Sequence, residues 1–189
     1  MLILGHSFVH RLHSFIKKNG PEFDLHLGIS EPMTLGWRGV GGFTVSKLRE
    51  PESLAFISKF RADIVYLEIG TNDLTRRHVY PANVGSAIED FVRLLHVEYG
   101  VKWIFVGQTI KRDSKGNFNS HVTILARYLK VVLEPLSYVT YWTHRGFWQP
   151  CRPLLSYDGV HLNREGQHKL YKSIRGAVLQ GLKKMSPSV

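Results

Sequence analysis

Leu2-Ile3-Leu4-Gly5-His6-Ser7-Phe8-Val9-His10-Arg11-Leu12 opens the chain. Residues 2–4 form a short apolar run, the mark of a buried strand, and Gly5 ends it. From Ser7 the period changes. Phe8, Leu12, Phe15 and Ile16 fall on one face of a helix reaching about Lys18, and Asn19-Gly20-Pro21 stops it. Ser7 then sits at the carboxyl end of a strand and at a helix N-terminus. Open α/β sheets bind ligands at that edge, and a helix N-terminus favours developing negative charge. Ser7 is therefore a candidate nucleophile. Serine is equally a preferred helix N-cap, and position alone does not separate the two.

Further along, Phe23, Leu25, Leu27 and Ile29 alternate strictly, which predicts the second strand over 23–29. A glycine-rich loop, Gly36-Trp37-Arg38-Gly39-Val40-Gly41-Gly42, leads into a helix over about 44–60 that Pro51 interrupts. Residues 62–69 are apolar almost throughout, as a strand buried on both faces should be. Helices over about 81–99 and 120–133 alternate with strands over 101–106 and 138–142. Residues 111–119 read as a polar turn with no evident chemistry. The last helix runs from about Asn163, a good N-cap, to Lys184. Strands alternating with helices at this spacing predict an α/β fold, a parallel sheet covered on both faces.

With 189 residues, 43% of them hydrophobic, the chain is expected to form one domain over 1–189 with a sizeable core. It begins directly in the first strand, which points to a domain excised from a longer protein. No apolar run approaches the roughly 18 residues that span a bilayer, and no basic-flanked signal segment is present. A single cysteine, Cys151, excludes an intramolecular disulfide and suits a reducing, cytoplasmic setting. The net charge of +10 fits either a solvated basic surface or attraction to a polyanion, RNA or an anionic membrane face.

Asp158 and His161 are three residues apart, which puts both side chains on one face of a turn or a helix start. Such a carboxylate can fix the tautomer of an imidazole base. Gly42 suits a turn that exposes a backbone N–H, and Asn72 ends the buried strand with a carboxamide, a donor suited to an oxyanion. Each is commonplace alone. With Ser7 they make a nucleophile, a base with its orienter and two oxyanion donors on loops at one sheet edge.

These residues also carry a resemblance. Gly5-His6-Ser7, Gly39-Val40-Gly41-Gly42, Gly70-Thr71-Asn72-Asp73 and Asp158-Gly159-Val160-His161-Leu162-Asn163 resemble, in order, the four blocks of the SGNH (GDSL) hydrolases. The resemblance implies a flavodoxin-like α/β/α sandwich with five parallel strands, and ester hydrolysis without metal or organic cofactor. It implies Ser7 as nucleophile, His161 as base, Asp158 as its orienter, and the N–H groups of Ser7 and Gly42 with the Asn72 side chain as oxyanion hole. Two residues depart from the family pattern: His6 stands where aspartate is usual, and Trp37 or Arg38 where an asparagine is usual. The opening Gly5-His6-Ser7-Phe8-Val9 and the charge also resemble a narrower group, the esterase domains in the first open-reading-frame protein of vertebrate LINE-type retrotransposons.

The expected substrate is a small ester, short-chain or lipid-like. The competing reading is a module that keeps the fold without turnover and binds RNA or anionic membrane. Hydrolysis of p-nitrophenyl acetate beside Ser7→Ala separates the two. Weaker candidates are His6, His10 and His13 as a metal face, and His6 as partner to the buried Glu68. The loop 145–153 interleaves Arg145 and Arg152 with Phe147 and Trp148, for packing or for ligand contact. Cys151 has no evident base or redox partner. Arg164, Lys169, Lys172, Arg175, Lys183 and Lys184 on the last helix make either a solvated face or an electrostatic patch.

Overall fold

The computed structural model describes residues 1–20, 22–30, 33–114, 116–147 and 152–185. Its strands are β1 (Leu2–Gly5), β2 (Gly36–Gly39), β3 (Ile64–Glu68), β4 (Trp103–Gly107) and β5 (Val139–Trp142). They form one parallel sheet in the order β2-β1-β3-β4-β5. The helices are α1 (Ser7–Lys18), α2 (Val45–Leu48), α3 (Pro51–Phe60), α4 (Pro81–Val97), α5 (Phe118–Leu133) and α6 (Arg164–Met185). Alternating strand residues feed two cores. Leu2, Leu4, Val65, Leu67, Ile104 and Val106 pack with α2 to α5, while Ile3, Ile64, Tyr66 and Phe105 pack with α1 and α6. This is the expected three-layer α/β/α sandwich, in the flavodoxin-like strand order. No helix of the described residues is long and apolar enough to cross a membrane.

The second strand is not where alternation predicts it. Residues 23–29 form turns. Leu27 N–H donates to Asp24 O (3.0 Å), Ile29 N–H to His26 O (3.1 Å), and Gly28 N–H to Asp24 Oδ2 (2.9 Å). Leu27 and Gly28 are both left-handed, at φ 59° and 62°. The alternation is real as burial, with Phe23 and Leu27 inside. It serves packing against α6, where the Phe23 ring meets Tyr171 edge-on at 5.1 Å. The strand beside β1 is instead Gly36–Gly39, inside the glycine block. Its glycines allow close approach: a Cβ on Gly39 would lie 2.1 Å from the His10 nitrogen in α1, and one on Gly36 2.2 Å from the Phe60 ring.

Beneath the carboxyl edge lies a buried polar cluster. Glu68, with no exposed surface, takes the Tyr66 hydroxyl at 2.7 Å and His144 Nε2 at 3.1 Å on Oε2. His144 Nδ1 lies 2.9 Å from Ser173 Oγ, which also accepts from Trp142 Nε1 (3.0 Å). The partner of Glu68 is therefore His144 and not, as the sequence suggested, His6. Burial pushes the Glu68 carboxyl up, but His144 and Tyr66 outweigh it and hold it below its usual value. His6 is also fully buried, and burial lowers its pKa from 6.5 to about 4 against the pull of Glu68.

A neutral buried His6 makes stability pH-dependent. Between pH 6.5 and about 4 the unfolded chain binds a proton that the folded one refuses. Stability therefore falls as pH drops through that window, by up to about 3 kcal/mol from this residue. Urea midpoints measured across the window are expected to fall less steeply in His6→Asn, which keeps a capping oxygen but does not titrate; an identical slope overturns the assignment. Gly39→Ala is expected to cost about 1–3 kcal/mol by forcing α1 off β2, read as a lower thermal midpoint.

Candidate active site

Ser7 is the first residue of α1, directly beyond the carboxyl end of β1. The N-cap of that helix is His6, whose Nδ1 accepts from Phe8 N–H at 3.3 Å. Capping is thus done by the histidine, and among the described residues the half-buried Ser7 hydroxyl has no hydrogen-bond partner. The turn is anchored on both sides: His6 N–H donates to Glu68 O (3.1 Å) and Val40 N–H to Gly5 O (3.0 Å).

Asp158 and His161 meet as their spacing predicts. Asp158 Oδ2 lies 2.6 Å from His161 Nδ1, and Oδ1 accepts the N–H groups of Val160 (2.9 Å) and His161 (2.8 Å). Desolvation pushes the Asp158 carboxyl up, but the bonds from His161 and Val160 prevail and hold it at about 2. An ionised Asp158 accepts the hydrogen bond from Nδ1–H, which leaves Nε2 with its lone pair. The loop is framed by Ser156 N–H donating to His161 O (2.6 Å) and by Asn163, whose Oδ1 caps α6 through Gly166 N–H (3.0 Å). The His161 ring stands edge-on to Phe8, centroids 6.3 Å apart, which brings it to the first turn of α1. No hydrogen bond joins it to Ser7 in this structure.

Gly42 and Asn72 are tied together. Asn72 Nδ2 donates to the carbonyl of Phe43, next to Gly42, at 2.8 Å. One residue on, Asp73 accepts Val45 N–H on both oxygens, at 3.1 and 3.3 Å. Gly42 is exposed and left-handed at φ 69°, and a Cβ there would meet open space. The Asp73 clamp joins positions 28 residues apart and has no local sequence signal, although Asp73 belongs to the Gly70-Thr71-Asn72-Asp73 block.

The polar 111–119 segment also bears on the site. It lies against the His161 loop, where Asp113 N–H donates to Gly159 O at 2.9 Å. Gly159 is left-handed at φ 66°, and a Cβ on it would come within 3.1 Å of Asp113. Arg112 in this segment is half-buried and lies over the Phe118 ring, 4.2 Å from its centroid. The available signal was its place beyond the carboxyl end of β4.

The remaining candidates fall elsewhere. Among the described residues no three His, Cys, Asp or Glu side chains form a group able to hold a metal; His13 packs on Trp37 at 5.9 Å. Phe147 is a core residue with no exposed surface. Trp148 and Cys151 lie outside the described residues. On α6, Arg164 pairs with Glu22 (2.8 Å), Lys169 with Glu165 (3.4 Å), Arg175 donates to Leu27 O (2.9 Å) and Lys184 covers Trp103 (4.5 Å). Much of that basic run is thus engaged within the fold.

Comparison with curated proteins gives no match. Among solved structures, a carbohydrate esterase family 3 protein from Talaromyces cellulolyticus is similar at a TM-score of 0.71 and 17% identity, covering 98% of each chain. A GDSL-like lipase from Bacteroides thetaiotaomicron is similar at 0.71 and 15% identity, over 95% of this chain and 87% of that one. An acetylxylan esterase from Geobacillus stearothermophilus gives 0.63 and 16%, over 92% and 90%. At these identities the likeness is one of fold. The sequence itself matches the model for GDSL-like lipase/acylhydrolases over residues 7–174, a span that begins on Ser7 and includes Gly42, Asn72, Asp158 and His161. The chain belongs to the GDSL-like lipase/acylhydrolase family and is a carboxylic ester hydrolase.

Proposed function

We propose that the protein is a serine esterase acting on short-chain, acetyl-like esters, with Ser7, His161 and Asp158 as its catalytic residues. The observation that carries this is the 2.6 Å contact of Asp158 with His161 Nδ1, made beside a helix start where His6 rather than Ser7 is the cap. Ser7 Oγ attacks the ester carbonyl while its proton passes to His161 Nε2. The oxyanion is held by the N–H groups of Ser7 and Gly42 and by the Asn72 amide, whose other N–H is fixed on Phe43 O. The carbon–alkoxide bond breaks, the alcohol leaves with the proton from His161, and an acyl-Ser7 remains. Water then adds to it with His161 as base again, which releases the acid and restores Ser7.

The preference for short acyl groups is supported by the carbohydrate and acetylxylan esterases among the similar folds. The same reading includes the narrower likeness to retrotransposon esterase domains, a cytoplasmic setting, and a basic surface that meets RNA or anionic membrane. What supports these is the Gly5-His6-Ser7-Phe8-Val9 opening, the single cysteine and the charge of +10.

Ser7→Ala is expected to reduce hydrolysis of p-nitrophenyl acetate to background with an unchanged circular dichroism spectrum; turnover surviving that change refutes the assignment. Asn72→Ala should lower kcat about 10²–10³-fold, checked against KM. Asp158→Asn should lower kcat by about 10⁴-fold by favouring the wrong tautomer. Because Asp158 is held at about 2, it stays ionised at all higher pH. At about pH 8 the Asp158→Asn deficit should therefore be present in full; a variant as active as the wild type there would show a different role.

A further inference from the structure

Beside the site lies a cavity of about 400 Å³ that the reaction as written does not fill. Leu74 and Thr75, just past Asn72, form one wall. Val160, next to His161, lines it as well, with Arg112, Phe118 and His121. Its size is that of a small-molecule site, well beyond the need of an acetyl group.

Arg112 is the unusual member. Its backbone is pinned by Asn119, which accepts its N–H (2.9 Å) and donates to its carbonyl (2.7 Å). Its guanidinium is spread on the Phe118 ring, yet no ion pair or hydrogen bond engages that group among the described residues, and Nε is buried without a partner. Nearby carboxylates are committed elsewhere: Asp158 to His161 (2.6 Å) and Asp113 to Arg152 (3.4 Å). Burial lowers the Arg112 pKa against the pull of Asp158, but a guanidinium keeps its proton. A buried guanidinium N–H with no acceptor is costly in a folded protein. The first turn of α5 borders the same space and adds positive potential. The overall charge of +10 draws anions toward it.

We propose that Arg112 recognises an anionic group, a carboxylate or phosphate, carried by the ester substrate and seated in this cavity. The proposal rests on the esterase reading for the substrate, and on the unpaired guanidinium and its surroundings for the anion. Arginine's fork matches such a group with two parallel hydrogen bonds. Carboxylate esters and phosphate-bearing lipid-like esters share this chemistry.

The test compares kcat/KM for mono(4-nitrophenyl) succinate with that for 4-nitrophenyl butyrate, and for 4-acetoxybenzoate with phenyl acetate. The first pair carries the anion on the acyl side and the second on the alcohol side. The wild-type protein is expected to favour the anionic member of one pair at least tenfold. Arg112→Gln should collapse that ratio and Arg112→Lys, which keeps the charge but not the fork, recover only part of it, whereas a merely structural defect lowers both members and leaves the ratio. Succinate and inorganic phosphate titrated into Ser7→Ala should bind saturably, and at least tenfold more weakly once Arg112→Gln is added. No anionic preference in the wild type, or a ratio and binding indifferent to residue 112, overturns the proposal. Arg112-dependent binding without Ser7-dependent turnover of any ester upholds the anion site and defeats the hydrolytic reading.

Discussion

Everything at the carboxyl edge of the sheet depends on how closely α1 lies on β1 and β2. A Cβ on Gly5 would come within 2.8 Å of the Val9 side chain in α1 and 2.4 Å of the Glu68 carbonyl in β3, and one on Gly39 within 2.1 Å of the His10 nitrogen in α1. Backbone therefore packs on backbone there, as only glycine permits. The helix starts directly at the strand end, and the side chain of residue 7 stays at the mouth of the sheet. Side chains larger than hydrogen at these two positions would lift the helix and carry Ser7 away from the loops that approach it.

Those loops are fixed by charge-assisted and backbone hydrogen bonds together with the burial of Phe43, Leu74 and Leu162 in the two cores. Asp73 holds the glycine loop through Val45, Asn72 holds it through Phe43, and Asp158 organises its own turn through Val160 and His161. Below them, Glu68 Oε2, Tyr66, His144 and Ser173 make a hydrogen-bonded chain inside an otherwise apolar layer, with Glu68 Oε1 left buried without a partner. Hydrogen bonds to a charged group in a low-dielectric interior are among the stronger ones. The edge is thus a rigid polar rim set on two greasy cores, which suits a reaction in which charge develops and must meet dipoles already oriented.

Much of this was legible in the residues. The run 62–69 announced β3, Pro51 divided α2 from α3, and the spacing of Asp158 and His161 foretold their contact. β2 was hidden because it is four residues long, half-buried, and built of Gly-Trp-Arg-Gly, with no apolar period to detect. Residues 23–29 carried the period of a strand while their backbone turned, since alternation reports which side chains go inward and not how the chain travels. The pairing of Glu68 with His144 spans 76 positions and no local pattern encodes it. The setting of Arg112 was equally invisible, because an arginine in a polar turn looks solvated until Phe118 is seen beneath it.

The contact between Asp113 and Gly159 makes one segment serve two masters. The strip that carries Arg112 also props the loop that carries His161, so lengthening or redesigning residues 111–117 cannot alter the cavity wall without moving the imidazole. The geometry leaves side-chain exchange at fixed loop length as the change that spares the imidazole. Grafting a longer loop here would trade away turnover for selectivity, and swapping single side chains would not.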